Sequence, residues 1–339
     1  MRVLVSLIAV LALAFIAYLG VGIGHADTLF GVVIPYLALA IFLFGIIYRV
    51  VTWARVPVPF RIPTTCGQQK CLEWIKPSRF ENPYNNFGVI IRVAMEVLFF
   101  RSLFRNVKSE IKQGKVVYGH TKWLWLAGLA FHYSFLVIII RHLRFFVEPV
   151  PIFVKWAESL DGFFQVGIPI LMLTDVVILA ALTYLFLRRV LIPQLRYISL
   201  PADYFPLFLI GAIATTGILL RYFFKTDLIG IKELALGLVS LKPVVPKGIH
   251  WLFFMHFFLV CCLFTYFPFS KLLHMAGIFM SPTRNLANNN RAVRHINPWN
   301  PKVEVHTYQE YEDEFREKMV AAGIPVEKQP EPQGQGTKE

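Results

Sequence analysis

The sequence predicts an all-α membrane protein, a polytopic helical bundle with six transmembrane helices. Three observations predict it. Of 339 residues, 56% are hydrophobic and only 16% charged. Mean hydropathy is +0.56. Six apolar stretches reach the ~20 residues that cross a hydrocarbon core. Lipid satisfies no backbone polar group, so only helices or a closed barrel can span it. The ten-residue alternating segments of a barrel are absent from the sequence. The 31 Phe also exclude a disordered chain.

The expected spans are 3–23, 29–51, 123–147, 167–190, 204–224 and 249–275. Gly24-His25-Ala26 loosely resembles a signal cleavage site, but the first apolar run is too long for a signal peptide and reads as an anchor. With the N-terminus in the cytoplasm, 25 Lys and Arg fall on the cytoplasmic side and eight on the other. That asymmetry predicts cytoplasmic N- and C-termini. The same basic loops account for the net charge of +13 without a nucleic-acid partner.

Residues 1–51 thus form two N-terminal transmembrane helices, 52–122 a cytoplasmic loop, 123–280 a four-helix region and 281–339 a polar tail. The loop opens with Pro57, Pro59 and Pro63. Its apolar stretch from Asn85 to Arg105 is broken by Arg92, Glu96 and Arg101. Those charges forbid a span and predict an amphipathic helix lying on membrane lipid. The tail ends in PEPQGQGTKE, a disordered composition, after a short helix expected over Tyr308 to Ala322.

Four cysteines occur, and Cys261 and Cys262 lie inside an apolar span, so an iron–sulfur cluster of this chain's own is not expected. Cys66 and Cys71 read as reduced cytoplasmic thiols. Neither a Gly-rich phosphate loop, nor HExxH, nor a nucleophile elbow is found, which leaves hydrolase and nucleotide-binding readings without residues.

Four histidines sit inside apolar spans, where an ionisable group marks function: His132 and His142 in the third, His256 and His274 in the sixth. The third span runs outward and the sixth inward, so His132 shares the inner level with His274 and His142 the outer level with His256. Eighteen residues at ~100° each return to one helical face, and the two spacings average roughly 21 Å of rise. Two flat cofactors fit such a pattern. Haem takes two opposed imidazoles from facing helices. The alternatives are histidines that only bond across helices, or a copper or zinc site. His25, His120, His250, His295 and His306 lie at loops or span ends.

The segments AFHYSFLVIIIRH, LRRVLIPQLR and MHFFLVCCLFTYFPFSKLLH resemble the cytochrome b (NarI-like) subunit of respiratory nitrate reductase. That resemblance covers roughly 123–282. It implies two b haems, ligated through His132, His142, His256 and His274. The added N-terminal span, the loop with CGQQKC and the long tail are similar to DsrM, the membrane subunit of the sulfite-reductase-associated DsrMKJOP complex. What this second resemblance implies is electron exchange between menaquinone or menaquinol and a cytoplasmic iron–sulfur subunit of the heterodisulfide-reductase type, within a respiratory complex of sulfur metabolism.

Arg141, Arg144 and Arg221 are candidates for haem propionates through charge-assisted bonds, or snorkelling helix-end cations. Lys155, Asp161 and Gln165 lie beside the outer pair as candidates for a quinone site, and counting back from Arg188-Arg189 puts Gln165 near the quinone-site Lys of the nitrate reductase subunit. Asp175, inside the fourth span, is either a proton relay or a structural hydrogen-bonding group. The reading is a quinol-linked electron conduit. A nitrate-reductase-type gamma subunit, a proton-relay transporter and a non-redox anchor are its rivals.

Overall fold

The structure, a computed structural model, describes residues 1–56, 67–105, 107–162, 170–224, 226–290, 302 and 304–328. Pro57, Pro59, Pro63, Cys66, Gln165 and His295 lie outside the described residues.

Helix α1 (Arg2–Ala17) widens into a π-helical stretch, Tyr18–Ile23. The chain returns through a second one, Leu29–Val33, into α2 (Ile34–Ala54). A loop then leads to α3 (Asn86–Phe99), whose first turn is capped by Asn85 accepting from the Gly88 N–H at 2.8 Å. Phe100 ends α3 with φ 49° and ψ 45°, and α4 (Arg101–Arg105) follows at a new angle. The single amphipathic helix expected over 85–105 is therefore two helices joined by a left-handed residue.

Strands β1 (Val107–Lys112) and β2 (Lys115–His120) pair antiparallel with Lys112 opposite Lys115. Gln113 and Gly114 make the turn at φ 51° and 73°, the handedness that matches strand twist. The all-α architecture thus carries one exposed hairpin that the hydropathy pattern does not reveal.

Next come α5 (Lys122–His142), ending in a tighter turn at Leu143–Phe145, and α6 (Ile152–Asp161). They are followed by α7 (Leu173–Leu191), α8 (Pro193–Ile198) and α9 (Pro201–Tyr222). The loop after α9 folds into α10 (Leu228–Val239), and α11 (Trp251–Tyr266) follows. Two short turns lead to α12 (His274–Met280), then α13 (Pro282–Asn285) and α14 (Tyr308–Ala321).

Among the described residues five helical segments are long and apolar enough to cross a membrane: Arg2–Ile23, Leu29–Ala54, Lys122–Phe145, Pro201–Tyr222 and Trp251–Phe269. Six were expected. The fourth expected span falls on α7, which holds Asp175 in its first turn and Arg188 and Arg189 in its last, so charge at both ends shortens its apolar length. The sixth expected span is not one continuous helix. Pro268 has no N–H to offer, and Ser270 is extended at φ −115° and ψ 175° while its hydroxyl accepts from the Leu272 N–H. His274 accordingly opens a new helix.

Helix α5 packs on α7, α7 on α9 and α9 on α11, while α1 lies against α9 and α11 and α2 against α11. Val10, Ile178, Leu182, Leu209, Leu259 and Leu263 form the core where α1, α7, α9 and α11 meet. In lipid the drive for such packing is close van der Waals approach, and small residues permit it. A Cβ on Gly45 of α2 would lie 2.7 Å from Pro268. At the end of the bundle where the chain begins, Arg2 donates to the Tyr197 and Ser199 carbonyls at 2.8 and 2.9 Å, and Ser6 to the Pro201 carbonyl at 2.8 Å. Helix α1 is thereby an integral member of the bundle.

Candidate functional site

Helices α5, α7, α9 and α11 pack in succession, yet α5 and α11 hardly touch each other. The ring of four is left open along one seam. All four span histidines stand on that seam. At the Arg2 end, the His132 and His274 ring centres lie 5.9 Å apart with planes at 85°. At the opposite end the His142 and His256 centres lie 6.5 Å apart with planes at 18°. The ends of the seam are covered, one by Phe100, whose ring meets His132 edge-on at 4.9 Å, the other by α10 packed on the Leu143–Phe145 turn.

Each imidazole has one nitrogen already engaged. Nδ1 of His132 lies 2.7 Å from the Gly128 carbonyl, Nδ1 of His142 2.7 Å from that of Ile138 and Nδ1 of His274 2.9 Å from that of Lys271. A carbonyl only accepts, so these Nδ1 atoms carry hydrogen and donate. Nδ1 of His256 is 2.9 Å from the Thr216 hydroxyl, whose own hydrogen is directed to the Ala212 and Ile213 carbonyls at 2.8 and 3.0 Å. The Thr216 oxygen therefore accepts from His256. In every case Nε2 is left as the basic nitrogen of a neutral ring, the arrangement by which proteins orient a metal-binding imidazole.

The donor set fits haem iron. A metal–nitrogen bond of about 2.0 Å on each side, plus the distance from nitrogen to ring centre, sets two opposed imidazoles roughly 6.3 Å apart. Both pairs lie close to that span. Among the described residues no third His, Cys, Asp or Glu completes a set of three around either pair. Zinc sites draw three or four protein ligands, whereas haem brings its own equatorial nitrogens and asks the protein for two axial ones. His132, His142 and His274 keep exposed ring surface, leaving room beside them for a flat group. A Cβ on Gly217 would press to 3.2 Å from Cε1 of His256, so glycine there keeps the ring in place.

A buried polar cluster flanks the His142 and His256 pair. Arg141 is ion-paired with Asp161, donates to the Thr174 hydroxyl at 3.1 Å and lies 3.8 Å from Asp175. Asp161 also accepts from the Thr174 N–H at 2.8 Å and hydroxyl at 2.6 Å. Tyr222 donates to Asp175 at 2.7 Å and accepts from the Met172 N–H at 2.9 Å. Asp161 and Arg141 are thus committed to each other. Arg144 pairs with Glu158 at 2.6 Å, and Lys155 stands exposed on α6. Arg221 differs, since its Nε is buried with no hydrogen-bond partner among the described residues.

Comparison with known proteins decides the family. The sequence model of the nitrate reductase gamma subunit matches residues 87–295. The chain belongs to the nitrate reductase gamma subunit family. The matched region contains all four seam histidines, and α1 and α2 precede it. A relative from Archaeoglobus profundus, named "Hdr-like menaquinol oxidoreductase cytochrome b-like subunit", is 47% identical over 86% of this chain and 87% of its own. One of the same name from Archaeoglobus fulgidus is 45% identical over 80% and 84%. With five long apolar helices among the described residues, in a family of membrane subunits, this is a multi-pass membrane protein.

Thr216, Tyr222 and Gly217 escaped the sequence reading. Thr216 is 40 residues from His256, and a lone Thr in an apolar helix more often bonds its own helix. A Thr one helix away from a seam histidine carries no local signal.

Proposed function

We propose that this chain is a membrane cytochrome b subunit of a quinol oxidoreductase complex, binding two b haems, one between His132 and His274 and one between His142 and His256. The open seam lined by four histidines, each with Nδ1 held and Nε2 left over, carries the reading. The name shared by both Archaeoglobus relatives supports cytochrome b character, menaquinol as the quinol and membership of a complex. Bound haem supplies reversible one-electron transfer.

The protein's own residues hold and orient. The Gly128, Ile138 and Lys271 carbonyls and the Thr216 hydroxyl fix the four imidazoles. Quinone chemistry is assigned to the His142 and His256 end, for which the sequence offers Lys155, Asp161 and Gln165. There Asp161 acts by locking Arg141, and Lys155 offers the exposed donor. Asp175 and Tyr222 extend a hydrogen-bonded route for protons. Arg221, with its unpartnered Nε, is the guanidinium for a haem propionate.

The Arg2 end is assigned to the cytoplasmic face of a prokaryotic membrane, with both termini inside and α7 as the sixth span. The excess of Lys and Arg on that side supports the assignment. There residues 67–105 and 281–290 fold together. The Asn288 N–H donates to the Pro83 carbonyl at 2.6 Å, Asn288 bonds Asn82, and Glu81 pairs with Arg101 and Arg105. This cap is the surface for a cytoplasmic iron–sulfur subunit of the heterodisulfide-reductase type. The two N-terminal spans outside the family match, with the CGQQKC loop, favour a DsrM-like member of a sulfur-metabolising complex.

The test is a dithionite-reduced minus oxidised spectrum of the purified chain, followed by reduction with a menaquinol analogue. Two b-type components, both reducible by the quinol, are expected. A chain without b-type absorption sinks the reading.

A further inference from the structure

Gly45, Arg49 and Trp53 recur every four residues along α2 and so share one stripe of it. The two ends of the stripe are pinned to known places. A Cβ on Gly45 would lie 2.7 Å from Pro268, and one on Gly277 would lie 3.8 Å from the Trp53 ring. Helix α2 therefore runs parallel to the 268–277 segment and packs against α12, the helix that His274 opens, and Arg49 lies on the same stripe between these two pinned ends. Its guanidinium lies 5.4 Å from the centre of the Trp53 ring. Its Nε is buried and has no hydrogen-bond partner among the described residues.

A buried guanidinium nitrogen without a partner is costly inside a membrane protein, and a carboxylate is the group whose geometry suits the guanidinium fork. Arg221 shows the same orphaned Nε at the other pair. Resting on the haem reading above, we infer that Arg49 is the carboxylate anchor of the inner site, binding a propionate of the group held by His132 and His274. It lies on α2, outside the region matched by the family. A helix that precedes the matched region would thus complete the inner site.

The experiment is a redox titration of the purified full-length protein and of R49Q, each in nanodiscs of neutral lipid and of anionic lipid. In both lipids R49Q should lower the midpoint potential of the component lost in H274A, because removing a cation favours the more positive oxidised iron, and should leave the other component unmoved. An unchanged potential overturns the inference. So does an effect confined to anionic discs, which would make a lipid phosphate the ligand of Arg49. Should R49Q fail to assemble, R49K carries the test. It keeps the charge with a single donor nitrogen, so it should hold the potential yet lose haem from that component several-fold faster on dilution, and unaltered retention overturns the inference. A wild-type chain without b-type absorption would instead sink the underlying haem reading.

Discussion

Thr216 on α9 accepts a hydrogen bond from Nδ1 of His256 on α11 at 2.9 Å, and it spends its own hydrogen on the carbonyls of its preceding turn. The other three seam histidines use carbonyls of their own chain segment, three or four residues back. His256 alone is oriented from a neighbouring helix, which makes its setting separable from its helix. T216V keeps the volume and removes the acceptor. Its expected outcome is a selective change in the spectrum and potential of the His142 and His256 component, with roughly 10-fold or greater loss of haem affinity. T216S should restore the wild-type values, and a T216V titration matching wild type would refute the role.

The proposed ligation by pairs predicts how single variants group. H132A and H274A should lose one and the same b-type component, and H142A and H256A the other, because removing either imidazole leaves the group with half of its protein ligands. Difference spectra of the four variants check it. A grouping by helix, with His132 and His142 together, would contradict the 5.9 and 6.5 Å pairings.

The ion pair of Arg141 with Asp161 is almost sealed, with side-chain exposures of 11% and 2%. Asp161 also takes both donors of Thr174. D161A should destabilise the folded protein by about 3 kcal/mol, since buried Arg141 loses its near partner and keeps only Asp175 at 3.8 Å. Replacing both partners by apolar residues should recover much of that loss. Unfolding in a detergent series checks both. A D161A protein as stable as wild type, with quinol reduction slowed, would instead assign Asp161 to the quinone.

The tail helix carries a pH-sensitive closure. Thr307 and Glu310 cap the start of α14, and Glu312 accepts the N–H groups of Glu327 and Lys328 at 2.7 and 2.9 Å. Those two backbone donors hold its carboxyl below its ordinary value of 4.5, with Arg316 adding to the effect. A depressed carboxyl contributes stability that is present above the ordinary value and lost as pH falls through the folded one. The 325–328 segment should therefore leave α14 as pH falls below the ordinary carboxyl value of 4.5 and through the lowered one, and in E312Q it should already be free at pH 7. Amide exchange at Glu327 and Lys328, corrected for intrinsic rates, reads the release.

Hydropathy alone located five of the six expected spans among the described residues, because the length of an apolar run is a local property that lipid thickness tests directly. Residues 3–23 and 29–51 reappear as Arg2–Ile23 and Leu29–Ala54, and the tail helix begins at Tyr308 where the sequence put it. Alternating helix direction was enough to match His132 with His274 in depth, and His142 with His256. Tertiary structure decided the rest. Pro268 and Ser270 break the last span before His274, so the eighteen-residue spacing is not one helical face. Glu158 and Asp161, on a loop helix, claim Arg144 and Arg141, two of the cations offered for propionates. Thr216 meets His256, and α2 with Arg49 lies beside the helix opened by His274, only because α9 and α2 pack against α11 and its continuation. Such partners are set by which helix faces which. That choice rests on close packing summed over whole helices, and no local stretch of sequence displays it.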